Sequence, residues 1–240
     1  MSKRGWIIFV VVVVVLLTGL VLISRSANPQ IDTSKIDANA IQTASAANGN
    51  IADHVFGPTT SKVTLIEYGD FQCPYCGEAH PQLKAITTEY QNQVTFIFRN
   101  FPITTAHPNA RAAAAAVESA GLQGKYWEMH NAVYENQSTW ENLTGETLTN
   151  AFASLAGGIG VDKDKFIAGL SDPAVNQKIS YDQAVAKKLG VEGTPSLYLN
   201  GKLLDTNVSQ DLETGTGTKL KTMLNAALKA AHIALPAGES

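Results

Sequence analysis

Two cysteines stand three residues apart, Cys73-Pro74-Tyr75-Cys76, between an apolar β-branched run and a stretch of helical character. They are the only cysteines in 240 residues, so no disulfide framework holds this chain together. Its core must come from side-chain packing. The run before them, Lys62-Val-Thr-Leu-Ile-Glu-Tyr68, reads as a buried strand. Gly69 to Gln72 turns the chain, a helix starts at or near Cys73 and runs toward Tyr90, and Gln93 to Phe98 reads as a second strand. Such a strand–helix–strand unit predicts parallel strands joined by a right-handed crossover. Pro81 falls inside the helix and predicts a kink.

The next stretch reads as helical. Its segments are Pro108–Ala120 ending at Gly121, Tyr126–Asn136, Glu146–Ala156, Asp162–Leu170 with Asp162 as cap, and Pro173–Leu189 closed by Gly190. Ser196–Leu199 is then a strand, Asn200-Gly201 a type I′ hairpin signal, and Lys202–Asp205 the partner strand. Thr218–Ile233 is a last amphipathic helix. The pattern predicts an α/β domain over residues 53–235. A helical insertion of about 104–190 separates its βαβ unit from a C-terminal ββα unit. Trp127, Trp140, Phe152 and Phe166 read as filling for the helical part, and His130 as structural.

Residues Trp6 to Ile23 carry no charge and are nearly all apolar. As a helix they span roughly 27 Å, close to the hydrocarbon thickness of a bilayer. Lys3 and Arg4 precede them, which predicts a cytoplasmic N-terminus and an exported domain. Residues 1–24 are therefore expected to be a transmembrane anchor. A cleaved signal peptide is the alternative, though the run exceeds the usual 7–15-residue apolar region. No cysteine stands directly after the run, which excludes a lipoprotein anchor. Residues 25–52 are rich in Asn, Ser, Ala, Thr and Asp and read as a flexible linker, with a weak helix around Ile36–Ala47.

Composition narrows the function. The chain is 45% hydrophobic and 16% charged, which excludes wholesale disorder, collagen and coiled coil. Its charge sum, 18 − 21 = −3, leaves no basic footprint for nucleic acid.

A cysteine pair opening a helix points to redox chemistry. The helix N-terminus offers unpaired amides and partial positive charge, which stabilise a thiolate, the reactive form. Spacing of three brings both sulfurs to one face. Cys73 is expected at an exposed tip, attacking or attacked, and Cys76 a turn inside as the resolving thiol. Pro74 suits the first helical turn. A zinc site would need a second ligand pair, and the histidines His54, His80, His107, His130 and His232 are scattered, so no metal is expected. An inert structural disulfide is disfavoured because so short a loop stabilises little. Gly193-Thr194-Pro195 precedes a strand and reads either as a plain loop-to-strand proline or as a cis-proline beside the cysteines.

The CPYC motif after a buried strand, the helical block and Gly-Thr-Pro before Ser-Leu-Tyr-Leu-Asn-Gly-Lys together resemble the thioredoxin superfamily. The insertion makes the chain similar to its DsbA-like branch. Asp53-His-Val-Phe-Gly57, Glu67–Cys73, Arg99-Asn-Phe-Pro102, His107-Pro-Asn-Ala-Arg111 and Gly124–His130 resemble that branch's membrane-anchored members. The resemblance implies a thioredoxin-like fold with a helical insertion. It implies a Cys73 nucleophile, a Cys76 resolving thiol, and Thr194 and Pro195 at the substrate edge. Pro74, Tyr75 and a buried Glu67 would tune the redox couple. Pro-Tyr departs from the Pro-His of the best-known oxidases, and Tyr75 supplies no imidazolium.

The leading expectation is a membrane-anchored, extracytoplasmic thiol–disulfide oxidoreductase that introduces disulfides into exported proteins. A membrane partner would reoxidise it or donate electrons to it. A reductase or isomerase on the same fold, or a non-catalytic adaptor or chaperone-like module, are the competing readings. No dinucleotide or phosphate motif is present, so no cofactor beyond the Cys73–Cys76 disulfide is expected.

Overall fold

A computed structural model describes residues 3–27 and 31–239, with side chains in the first stretch only at 3, 5, 6 and 9–19. The chain divides into two compact units, Met1–Ser34 and Lys35–Ser240. The first holds helix α1 (Lys3–Ala27). Among the described residues no helix is long and apolar enough to cross a membrane. The span expected over Trp6–Ile23 lies partly outside the described side chains, at residues 7, 8 and 20–23.

The second unit is built on a five-stranded sheet of β1 (Val55–Phe56), β2 (Thr64–Gly69), β3 (Thr95–Asn100), β4 (Ser196–Leu199) and β5 (Lys202–Leu203). The strand order is β1-β3-β2-β4-β5. β2 runs parallel to β3, as the strand–helix–strand pattern requires, and antiparallel to β4. Both β2 and β3 are buried along almost their whole length, which is why they read as continuous apolar runs. The two-residue β1 is too short to leave a periodic signal and was not expected.

Helix α2 (Pro74–Glu89) joins β2 to β3. Pro81 lies inside α2, which nevertheless runs unbroken from Pro74 to Glu89. The insertion between β3 and β4 consists of α3 (Ala110–Gly121), α4 (Tyr126–Glu135), α5 (Gln137–Trp140), α6 (Gly145–Gly158), α7 (Lys163–Gly169) and α8 (Pro173–Lys188). Asp162 caps α7 by accepting from the Lys165 amide, and Asp172 caps α8 by accepting from the Ala174 amide. Trp140, Phe152 and Phe166 are buried in the insertion, where the Trp140 indole donates to the Val133 carbonyl at 2.8 Å.

Asn200 and Gly201 both adopt positive φ, +50° and +78°, which a type I′ turn demands. The strand expected over Lys202–Asp205 stops at Leu203, because Asp205 instead caps a helix, α9 (Thr206–Glu213), accepting from the Asn207 amide. The C-terminal unit is therefore ββαα, closed by α10 (Thr218–Ala230). Leu83 and Ile86 of α2 pack with Val208, Leu212, Leu220 and Leu224 of the last two helices in one core; the other fills the insertion.

The expected linker is shorter than 25–52. From Lys35 the chain belongs to the second unit, and only Ala46–Asn48 forms a turn of 3₁₀ helix in place of the expected weak helix. Ala38 and Asn48 are buried. Polar backbone, rather than apolar side chains, attaches this arm: Arg99 donates to the carbonyls of Ala38 and Ala40, and Gln177 to that of Ala47. A composition low in large apolar residues conceals attachment of this kind.

Candidate active site

β2 delivers the chain to the cysteines from the centre of the sheet, where Glu67 sits between Phe98 and Leu197. The turn that follows is fixed by Asp70. One carboxylate oxygen accepts from the Gln72 amide, and the other from the Ile103 amide and the His107 ring, each at 2.8 Å. Cys73 is the N-cap of α2 and Pro74 its first residue, where a missing N–H costs nothing. The structure holds Cys73 and Cys76 as free thiols.

Cys73 stands at the helix tip, but the tip is not open: it is 4% exposed and Cys76 1%. The Cys73 thiol donates to the Thr194 carbonyl at 3.4 Å, and the Thr194–Pro195 peptide is cis. The structure thus brings Cys73, Cys76, Thr194 and Pro195 together, and leaves Pro74 and Tyr75 exposed at the surface. A groove of about 540 Å³ runs from Tyr75 along Gly190–Ser196 to α9.

The two thiols differ in acidity. The Cys76 thiol hydrogen bond comes first in pulling Cys73 down to about 6, against burial; the Thr194 side chain and the amides of Cys76 and Tyr75 add to it. Burial pushes Cys76 well above the ordinary thiol range, and the hydrogen bond to Cys73 and its charge push it further. Burial first, then the neighbouring Cys73 charge, raises the Glu67 carboxyl to about 8, so it holds a proton at neutral pH. A thiolate, a protonated thiol and a protonated acid on one buried patch suit exchange of a disulfide with a second pair of thiols.

Gln137 was not legible in the sequence. It reaches from α5 and donates to the carbonyls of Phe71 and Cys73, at 2.8 and 2.9 Å, tying the insertion to the turn that carries the nucleophile. A Cβ on Gly77 would lie 2.4 Å from the Gln137 side-chain oxygen, so this contact needs glycine on α2. No local pattern marks a glutamine sixty residues away as a site residue.

The histidines have other occupations. His54 pairs with Glu118 and His107 with Asp70. His80 and His130 are buried among Phe71, Phe98 and Tyr134, and burial drives His80 down to about 4. Among the described residues no group of three or more His, Cys, Asp or Glu is placed to hold a metal ion.

Residues 49–214 match the sequence family described as Thioredoxin. Among solved structures, a thioredoxin-like oxidoreductase from Silicibacter pomeroyi is 27% identical. It superposes with a TM-score of 0.57 over 75% of this chain and 92% of its own. BdbD from Bacillus subtilis is 20% identical, with a TM-score of 0.62 over 79% of this chain and 98% of its own, a likeness of fold. A protein of Salinispora arenicola named Na(+)/H(+) antiporter NhaA 1 is 38% identical over 150 residues, 62% of this chain. The chain spans 22% of that relative's length. With the sheet order, the insertion, and the cysteine pair facing a cis-proline, these matches assign the fold: the chain belongs to the thioredoxin family.

Proposed function

We propose that this protein oxidises thiols of exported proteins outside the cytoplasm by exchange through Cys73 and Cys76. The observation that carries this reading is the cysteine pair at the start of α2, set against the cis Thr194–Pro195 peptide; the split acidity, with Cys73 held at about 6 and Cys76 pushed well above the ordinary range, accords with it. A client thiolate attacks the Cys73 sulfur of the disulfide; the Cys73–Cys76 bond breaks and its electron pair goes to Cys76. The Cys76 sulfur takes a proton, supplied by the buried Glu67, which holds one at neutral pH and whose charge is felt at Cys76. The client's second thiolate then attacks the client sulfur of the mixed disulfide and expels Cys73 as a thiolate. Two electrons pass from client to enzyme, and the client gains one disulfide. Thr194 and Pro195 would align the client backbone as an added strand edge.

A leaving thiolate stabilised in the reduced protein makes the disulfide more oxidising. The full chain equilibrated in glutathione buffers should therefore show a reduction potential nearer about −120 mV than about −270 mV, the values of a strong oxidase and of a reductant. A result near the lower value overturns the oxidase direction in favour of a reductase.

The uncharged run Trp6–Ile23 behind Lys3 and Arg4 supports anchoring in a membrane with the domain outside. A membrane reoxidase would then find the domain at high effective concentration. A membrane-impermeant maleimide added to intact cells should label Cys73 in the reduced protein. Labelling seen only after lysis overturns the exported topology.

A further inference from the structure

Two grooves meet at the start of α2. The groove of about 540 Å³ is bordered by Tyr75, Glu192 and Glu213, and a second of about 340 Å³ by Glu78, Glu135 and Glu141. Among the described residues lining them there is no Lys or Arg, although the chain carries 18 basic residues against 21 acidic ones. The bias is local to the redox centre. Lys84 pairs with Glu135 and neutralises it. Glu78 on α2 borders one groove and Glu213 on α9 the other, close enough to interact: the Glu213 carboxyl is raised by burial and then by the Glu78 charge. A cation between them would relieve that repulsion.

An independent feature points to the same ligand. Tyr75 is 57% exposed and Leu203, bordering the same groove, 53%. An aromatic face left in water beside a carboxylate receives a cation well, and an aliphatic side chain beside it covers the stem of Lys or Arg.

We infer that the surface around Cys73 selects client cysteines flanked by lysine or arginine, with Tyr75, Glu78, Glu192 and Glu213 as the selecting groups; this rests on the exchange reading above. The occupant is an extended, basic stretch of unfolded polypeptide lying along the Thr194–Pro195 edge.

The test uses the oxidised full chain and three reduced peptides, identical except for Lys, Ser or Glu on both sides of the cysteine. Each rate is divided by the same peptide's rate with 2-hydroxyethyl disulfide, an uncharged reagent, which removes the effect of flanking charge on the peptide's own acidity. At low salt the Lys peptide should react about ten-fold faster than the Glu peptide. The ratio should fall toward one near 1 M salt, where screening acts within about 3 Å. Glu192→Lys with Glu213→Lys, at positions that are exposed or half-buried, should reverse the order. Equal normalised rates at low salt, or an order unchanged by the reversal, overturn the inference. Failure to oxidise any peptide removes the exchange reading and this inference with it.

Discussion

Cys76→Ala should arrest the protein at the mixed disulfide. The reduced Cys73 thiolate attacks a client disulfide, the Cys73–client bond forms, and the client's other sulfur leaves as a thiolate. In the intact protein Cys76 then attacks Cys73 and frees the client. That attack is intramolecular between neighbouring residues of one helix turn, a class of reaction with effective molarities of 10⁵ M or more. Without it, release should slow by at least about 10³-fold, and adducts should persist on non-reducing gels. The same variant should lose part of the acidity of Cys73, since the Cys76 thiol hydrogen bond comes first among its causes. The midpoint of Cys73 alkylation, expected at about 6 in the intact protein, should move upward in the variant, toward the ordinary thiol value of about 8.5. Equal release from both forms, or adducts that survive Cys73→Ala, would show that the roles of the two cysteines are wrongly assigned.

The order of legibility follows the range of the interactions. CPYC at a helix start, the glycine after α8 and the Asn200-Gly201 turn are local, and each was readable because backbone chemistry within a few residues decides it. The cis-proline and the buried Glu67 needed the family resemblance, because what makes them matter lies across the sheet. Gln137 was invisible, since its two backbone acceptors, Phe71 and Cys73, lie 66 and 64 residues away. The cover over Cys73 was missed for the same reason: helix position predicts an exposed tip, and a loop 121 residues later closes on it. The arm from Lys35 was misread because hydrogen bonds from Arg99 hold it in place of apolar burial.

That attachment rests on a buried ionic network, and it gives the second large effect. Asp53 accepts from the Arg99 guanidinium at 2.7 Å and from the Lys178 ammonium at 2.9 Å; Lys178 also reaches Asp182 at 2.7 Å. Arg99 and Lys178 are fully buried. Burial opposes the charge on Asp53, yet Lys178 and Arg99 hold its carboxyl down at about 2. Burial raises Asp182 in spite of Lys178, which is the chief group keeping it charged. Lys178→Met keeps most of the volume and leaves three buried carboxylates, Asp53, Asp182 and the Glu118 that Asn100 bridges to Asp182, with Arg99 on Asp53 and His54 on Glu118 as their remaining basic partners. Removing one partner of a buried pair costs about 3–5 kcal/mol, much of it from the unpaired charge left behind. The urea midpoint at pH 7 should fall accordingly. The pH dependence identifies the cause. A carboxyl whose folded pKa is raised stabilises the fold below its unfolded value and loses that contribution as pH rises through the folded value. Removing Lys178 raises Asp182 further, so the deficit should be largest near pH 7 and shrink toward pH 4. A deficit independent of pH would trace the loss to packing around the Lys178 stem, and a deficit below about 1 kcal/mol would mean that the network does not hold the arm to the domain.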